Sequence, residues 1–308
     1  MPLDLDTFLH LPAEEIARLL RQEGGKVCVF PINGTRRWFL LEHAAALQSP
    51  DPYAAYMDIS GRNHLDLYRL FFEHGVDTLL TPIFGMDILL RGDEYMQRIG
   101  AEGLSRLAVH PDFLEFYRSQ GVRVHFYGSY RRHLQNTPYA WLLDQFEAVT
   151  RQTRHNTRSR LFFGVFGNDP GEDVAAFAVD FFQRNQRLPT REEIIASYYG
   201  EYVEPVSFFI GFDRFSAFDM PLVALGGEDL YFTASPSPYL SAGQLRHILY
   251  DHLYTRRSEE PDYAEMKAED LAWMQEFYTT NREATLGIGS LRGGIWYPLP
   301  QVRWPETQ

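Results

Sequence analysis

Apolar residues gather in six short runs with few polar interruptions. They are "KVCVF" (26–30), "VDTLLTPIF" (76–84), "VRVHFY" (122–127), "RLFFGVF" (160–166), "SFFIGF" (207–212) and "DLYFT" (229–233). Each has the length and the β-branched and aromatic content of a strand. Between most of them the apolar positions recur at helical spacing instead. "AEEIARLLRQE" (13–23) has that period and stops at Gly24-Gly25; the same spacing predicts helices over 65–75, 112–121, 172–185, 191–202 and 242–254. Strands apolar on both faces, alternating with helices, predict an α/β chain. The expectation is a single domain over 1–308, with a mainly parallel central sheet of about six strands covered by helices. No repeat, low-complexity stretch or linker interrupts the pattern.

Ligands of such sheets bind outside the carboxyl ends of the strands. Five of the six runs are followed by a polar cluster: "NGTRR", "GMDILLRGDEY", "GSYRRH", "GND" and "DRFS". One active-site rim is therefore expected.

Composition narrows the classes of partner. A net charge of −12 argues against nucleic acid or an anionic membrane surface, although a local cationic pocket remains compatible with it. Aromatic residues make up 15% of the chain, enough for either a bulky core or an aromatic-lined pocket for a large apolar or cationic ligand. The single cysteine, Cys28, lies within an apolar run and reads as core, so neither a disulfide framework nor a cysteine zinc site is expected. The first residues are acidic where a secretory signal would be basic, and no run of about 18 apolar residues occurs, so the expected location is the cytosol.

The chemistry-bearing residues are few. In "VCVFPINGTRRWFL" a strand stops at Pro31, and Asn33, Gly34, Thr35, Arg36, Arg37 and Trp38 follow as a tight turn and a helix start. Gly34 allows close backbone approach to an anion, and two arginines can fork onto phosphate oxygens. Asn-Gly is also a generic turn and Arg-Arg a generic solvated pair. HExxH, DDxxD and DxDD motifs are absent, and His247 and His252 are five apart, a poor spacing for one helical face. Arg151, Arg154, Arg158 and Arg160 read as a solvated face, and Asp169-Pro170 as the opening of the next helix. Alone, Tyr56 and Tyr95 carry little signal.

Taken together, "NGTRRW" and "DRFSAF" followed by "EDLYFT" resemble the cis-prenyltransferase fold. In that family a first strand ends in an Asp-Gly-Asn-x-Arg-Trp phosphate loop, and a late Arg-x-Ser-Asn-Phe segment precedes Glu-Leu-Tyr-Phe. The chain is more similar still to a bacterial branch that turns cyclic diterpenyl diphosphates into alcohols or conjugates. "FFEHG", "TPIF", "RGDEY", "FYGSY", "FGVFGND", "PTREEIIASYYGEYV" and "LRHILYDHLY" carry that likeness along nearly the whole chain.

The resemblance implies Mg²⁺ and a diphosphate held by Gly34, Thr35, Arg36, Arg37 and Trp38, with Arg214 and Ser216 adding contacts. It implies Asn33, Tyr56, Tyr95 and Arg37 at the chemistry, and Asn33 with Asp229 at the metal. Homodimerisation is a further expectation from the family. The implied substrate is a bicyclic clerodane or halimane C20 diphosphate, and the implied product an alcohol such as kolavelool or tuberculosinol. Transfer to adenosine instead of water is the variant, and a catalytically silent partner subunit the contrasting class.

Two departures matter. Chain-elongating members carry an arginine just upstream of the Arg-x-Ser element for a second diphosphate, and "FFIGFDRFS" lacks it. Ionisation of a single diphosphate then replaces elongation. At position 33 the family has aspartate, and Mg²⁺ prefers anionic oxygen. Asn33 is thus either natural or an inactivating substitution that traps substrate; the intact remainder of the loop favours the second.

Overall fold

The computed structural model describes residues 3–85, 96–167, 169–257 and 262–305. Two helices lead, α1 (Leu5–His10) and α2 (Ala13–Gln22), then β1 (Val27–Val29), α3 (Thr35–Glu42) and the long α4 (Pro52–Glu73). β2 (Thr78–Phe84) is followed by α5 (Glu102–Val109) and α6 (Pro111–Gln120), and β3 (Val122–Tyr127) by α7 (Tyr130–Leu134) and α8 (Trp141–Thr153). β4 (Ser159–Val165), α9 (Gly171–Asn185), α10 (Arg191–Tyr199), β5 (Phe208–Phe212) and β6 (Asp229–Thr233) complete the main sheet. α11 (Ala242–Tyr250), α12 (Ala268–Asn281) and the hairpin β7 (Gly289–Arg292) and β8 (Ile295–Pro298) end the chain.

All six predicted strands form, and they form one parallel sheet in the order β3-β4-β2-β1-β5-β6. Alternation along each strand divides the core. Cys28, Leu79, Leu161, Phe163 and Phe208 point to one face and pack beneath α1, α2, α4, α5, α6, α8 and α11. Val27, Val29, Leu80, Phe162 and Phe209 point to the other, against Ile195, Tyr198 and Tyr199 of α10. Both faces are covered, which is why the strands read as unbroken apolar runs. Cys28 is fully buried.

Helix ends follow local chemistry. Asp51 caps α4, accepting from the N–H groups of Tyr53 and Ala54, with Pro52 in the first turn. Thr190 and Glu193 form a capping box on α10, and Ser241 and Gln244 one on α11. Asp169 accepts from the Gly171 N–H at 2.9 Å and so opens α9.

Several expectations need correction. The helix at 65–75 is only the second half of α4; the polar stretch at its start hid the first. α1, α5, α7, α8, α12 and the terminal hairpin were not predicted. Arg160 is no solvated side chain: its guanidinium donates to Thr78 Oγ1 and the Tyr202 carbonyl and pairs with Glu204. Among the described residues, no helix is long and apolar enough to cross a membrane.

Candidate active site

The strand order reverses at β1. The chain leaves β1 toward β2, and leaves β5, on the other side, toward β6. Loops that part in this way open a crevice at the carboxyl ends of the strands. Residues 31–37 fill the crevice from the β1 side and residues 213–219 from the β5 side.

Three contacts fix the first loop. Asn33 N–H donates to Ser237 Oγ at 3.1 Å, the Asn33 carbonyl accepts from Ser237 N–H at 3.0 Å, and Thr35 Oγ1 donates to the Ile32 carbonyl at 3.1 Å. Gly34 has φ +76° and sits so close that a Cβ there would lie 2.8 Å from Phe212 Cε1 and 2.9 Å from Pro236 Cβ. Only glycine satisfies both conditions. It is also the residue before α3, which has no side-chain cap. The N–H groups of the first turn therefore face outward with their partial positive charge.

Arg37 is held on two sides. Its Nη2 donates to Asp213 Oδ2 at 2.9 Å, and its guanidinium carbon lies 4.6 Å from the centre of the Phe212 ring. Asp213 has a positive φ of 62°. Arg36 is exposed beside it. With five donors on a guanidinium and one given to Asp213, Arg37 retains donors for a ligand.

The loop forms the polar end of a cavity of about 780 Å³, within the usual range for sites that enclose most of a small ligand. Asn33, Gly34, Thr35, Arg36, Arg37 and Asp219 line that end. The remaining wall is largely apolar, with Met57, Ile83, Phe84, Leu107 and Phe113, and includes Tyr56, whose ring stands perpendicular to Phe39 at 5.2 Å. Such a cavity matches a molecule with an anionic head and a bulky hydrocarbon body.

Four further expected residues are not brought to it. Trp38 is buried against the His43 ring and does not line the cavity. Arg214 and Ser216 are exposed on the 213–219 loop, at the same rim but outside the lining. Asp229 does not join Asn33: it pairs in register with Phe208, at the amino ends of the strands. Its carboxylate accepts from His252 at 2.6 Å and Arg257 at 2.9 Å. Burial keeps the His252 imidazole below its usual pKa even beside that carboxylate. Tyr95 lies outside the described residues.

The structure adds side chains that the pattern gave no reason to choose. Asp213 positions Arg37, and Asp219 faces the cavity with Asn33. Arg106 lines the wall and pairs with Asp58 of α4. Ser60 and His64 also line it, and burial lowers the His64 imidazole to about 4. The one available signal was the interval of four residues linking Tyr56, Ser60 and His64.

No cluster of three or more His, Cys, Asp or Glu side chains fit for a metal occurs among the described residues. Mg²⁺ does not require one, since it commonly binds one or two protein oxygens together with substrate phosphates and water. The Asn33 amide and Asp219 carboxylate, lining the same end as Arg36 and Arg37, are compatible with a cation carried by a diphosphate.

The architecture is that of cis-prenyltransferases. Lavandulyl diphosphate synthase from Lavandula x intermedia, solved with dimethylallyl diphosphate, superposes with a TM-score of 0.59 over 78% of this chain and 98% of its own, at 12% identity. The chain belongs to the family of tuberculosinyl adenosine transferase of Mycobacterium tuberculosis (strain CDC 1551 / Oshkosh): the two are 42% identical over 94% of this chain and 96% of that protein. It is also 27% identical to (+)-kolavelool synthase of Herpetosiphon aurantiacus, over 96% of this chain and 95% of that protein. No family model matches the sequence.

Proposed function

We propose that the protein is a diterpene synthase that ionises a bicyclic clerodane or halimane C20 diphosphate and captures the allylic cation with water. The product is a diterpene alcohol of the kolavelool or tuberculosinol type, and diphosphate is released. The supporting observation is one cavity with an open helix N-terminus and two arginines at one end and an apolar wall beyond. The names of the two relatives, one a transferase of the tuberculosinyl group and one a synthase of kolavelool, support the substrate class.

Breaking the allylic C–O bond leaves its electron pair on the diphosphate. The α3 N–H groups, Arg36 and Arg37 meet that developing charge already oriented, which favours the transition state over the bound substrate. Tyr56, Phe84 and Phe113 offer aromatic faces to the cation left behind. Mg²⁺, held by Asn33 and Asp219, would neutralise diphosphate charge. Asn33 supplies an amide oxygen without charge, so we read it as lowering turnover.

Transfer to adenosine is the second reading, favoured by the 42% identity to an adenosine transferase. A separate cavity of about 350 Å³, lined by Tyr130, Arg131, Asp173 and Tyr198, leaves room on the same rim for a polar acceptor. A homodimer in the cytoplasm is part of the proposal. α12 has no buried residue, and Leu271, Tyr278, Leu291 and Trp304 are exposed on the terminal arm, an apolar surface suited to a second copy.

The test incubates the protein and its Asn33→Asp variant with Mg²⁺ and linear and bicyclic C20 diphosphates, with and without adenosine or isopentenyl diphosphate. The reading expects an alcohol from the bicyclic substrates. Incorporation of isopentenyl units would contradict it, and an adenosine conjugate as the main product would favour the second reading.

A further inference from the structure

Tyr56, Ser60 and His64 succeed one another at one-turn intervals on α4, and all three line the cavity that contains the diphosphate loop. Ser60 Oγ and His64 Nε2 are closed off from bulk solvent and have no hydrogen-bond partner in the chain. This turn of the helix stands next to the base of the loop. Asn63, adjacent to His64, donates to the Pro238 carbonyl at 3.3 Å, and the neighbouring Ser237 is bonded to Asn33 at both its hydroxyl and its N–H.

Orphaned buried polar atoms in native proteins are normally satisfied by water or by a ligand. The pair offers a water two polar partners a turn apart on the cavity wall. Tyr56 brings a phenol to the same helix face. The neighbouring Met57, Leu107 and Phe113 offer a water nothing to hold it, and Arg106 of the same wall gives one guanidinium nitrogen to Asp58.

We propose that Ser60 and His64 hold a water molecule inside the hydrocarbon part of the cavity, and that this water quenches the carbocation with His64 accepting its proton. The inference rests on the ionisation reading above. The allylic C–O bond breaks with its electron pair departing on diphosphate. A lone pair of the held water forms the new C–O bond. The oxonium proton then passes to Nε2, directly or through the Ser60 hydroxyl, and leaves to solvent with the product. Burial favours the neutral imidazole, which as the Nδ1–H tautomer presents the Nε2 lone pair to the water.

Two measurements test this. In a high-resolution crystal structure with an unreactive thiolo analogue of a bicyclic C20 diphosphate, a water is expected within hydrogen-bond distance of both Ser60 Oγ and His64 Nε2; a dry niche overturns the proposal. In the Asn33→Asp background, Ser60→Ala and His64→Leu are each expected to lower the ratio of alcohol to hydrocarbon at least fivefold, as the cation loses a proton instead of gaining water. Both products are counted per diphosphate released, so loss of folded protein does not alter the ratio. An unchanged ratio with continuing diphosphate release overturns the water assignment alone, as does an adenosine conjugate as main product. Absence of diphosphate release from every C20 substrate defeats the ionisation reading, and the role of His64 in the chemistry with it.

Discussion

The guanidinium of Arg37 donates to the carboxylate of Asp213 at 2.9 Å, joining the loop after β1 to the loop after β5. The two residues are 176 positions apart in sequence. One is read as a phosphate ligand, and the other aims it. Asp213→Asn should keep the fold and raise KM for the diphosphate about tenfold, whereas Arg37→Ala should lower kcat/KM about a hundredfold. These follow from charge-assisted contacts of roughly 1.5–3 kcal/mol and about 1.4 kcal/mol per factor of ten. Steady-state kinetics on both variants checks the split.

Gly34→Ala should damage both stability and ligand binding. The added carbon meets Phe212 and Pro236 below 3 Å and must also adopt φ +76°. A loss of about 1–3 kcal/mol is expected from strain of this kind, with pyrophosphate binding lost by calorimetry. A variant as stable as the parent that still binds pyrophosphate would disprove the role assigned to this turn.

Asn33→Asp should raise turnover at least about tenfold in the presence of Mg²⁺, since one unit of charge at the metal position is worth several kcal/mol. The gain should vanish when the cation is chelated. Equal rates for the two proteins would mean that the amide suffices and that Asp219 carries the anionic contribution.

Asp229→Asn should leave kcat/KM and its Mg²⁺ dependence within about twofold of the parent while lowering stability by about 1–3 kcal/mol. Its carboxylate is buried at the amino ends of the strands and satisfied by His252 and Arg257. Denaturant unfolding measures the loss. A changed Mg²⁺ requirement would instead return Asp229 to the metal site.

Stability should fall as pH drops below neutrality. Burial holds His64 at about 4 and also depresses His74 and His252 below the ordinary histidine value. The unfolded chain therefore binds more protons than the folded one between about 6.5 and 4. Stability is complete above 6.5 and is lost progressively toward 4. His64 accounts for roughly 3 kcal/mol of this at most, at about 1.4 kcal/mol per pKa unit. His64→Leu should flatten the profile measured by urea unfolding across that window.

The strands were legible because each carries its instruction locally. A run such as "VRVHFY" must bury both faces, and nothing distant alters that requirement. The turn and helix start at 33–37 were legible for a similar reason, since Pro31 ends the strand and α3 begins directly after Gly34. α12 and the terminal hairpin were not, because their apolar residues bury almost nothing within this chain and so leave no inside-outside pattern.

What the sequence alone determined is therefore the set of six strands, several of their covering helices and the turn at 33–37, all of them set by neighbouring residues. Only the tertiary structure decided which distant groups share the cavity. Asp219 enters it, and Asp213 reaches Arg37 beside it, because β5 lies beside β1; Ser60 and His64 enter because α4 turns that face toward the loop. Asp229 leaves it because its parallel strand begins, and does not end, at that residue. Strand order is a long-range property, settled by how the helices cover the sheet, and no local spacing encodes it.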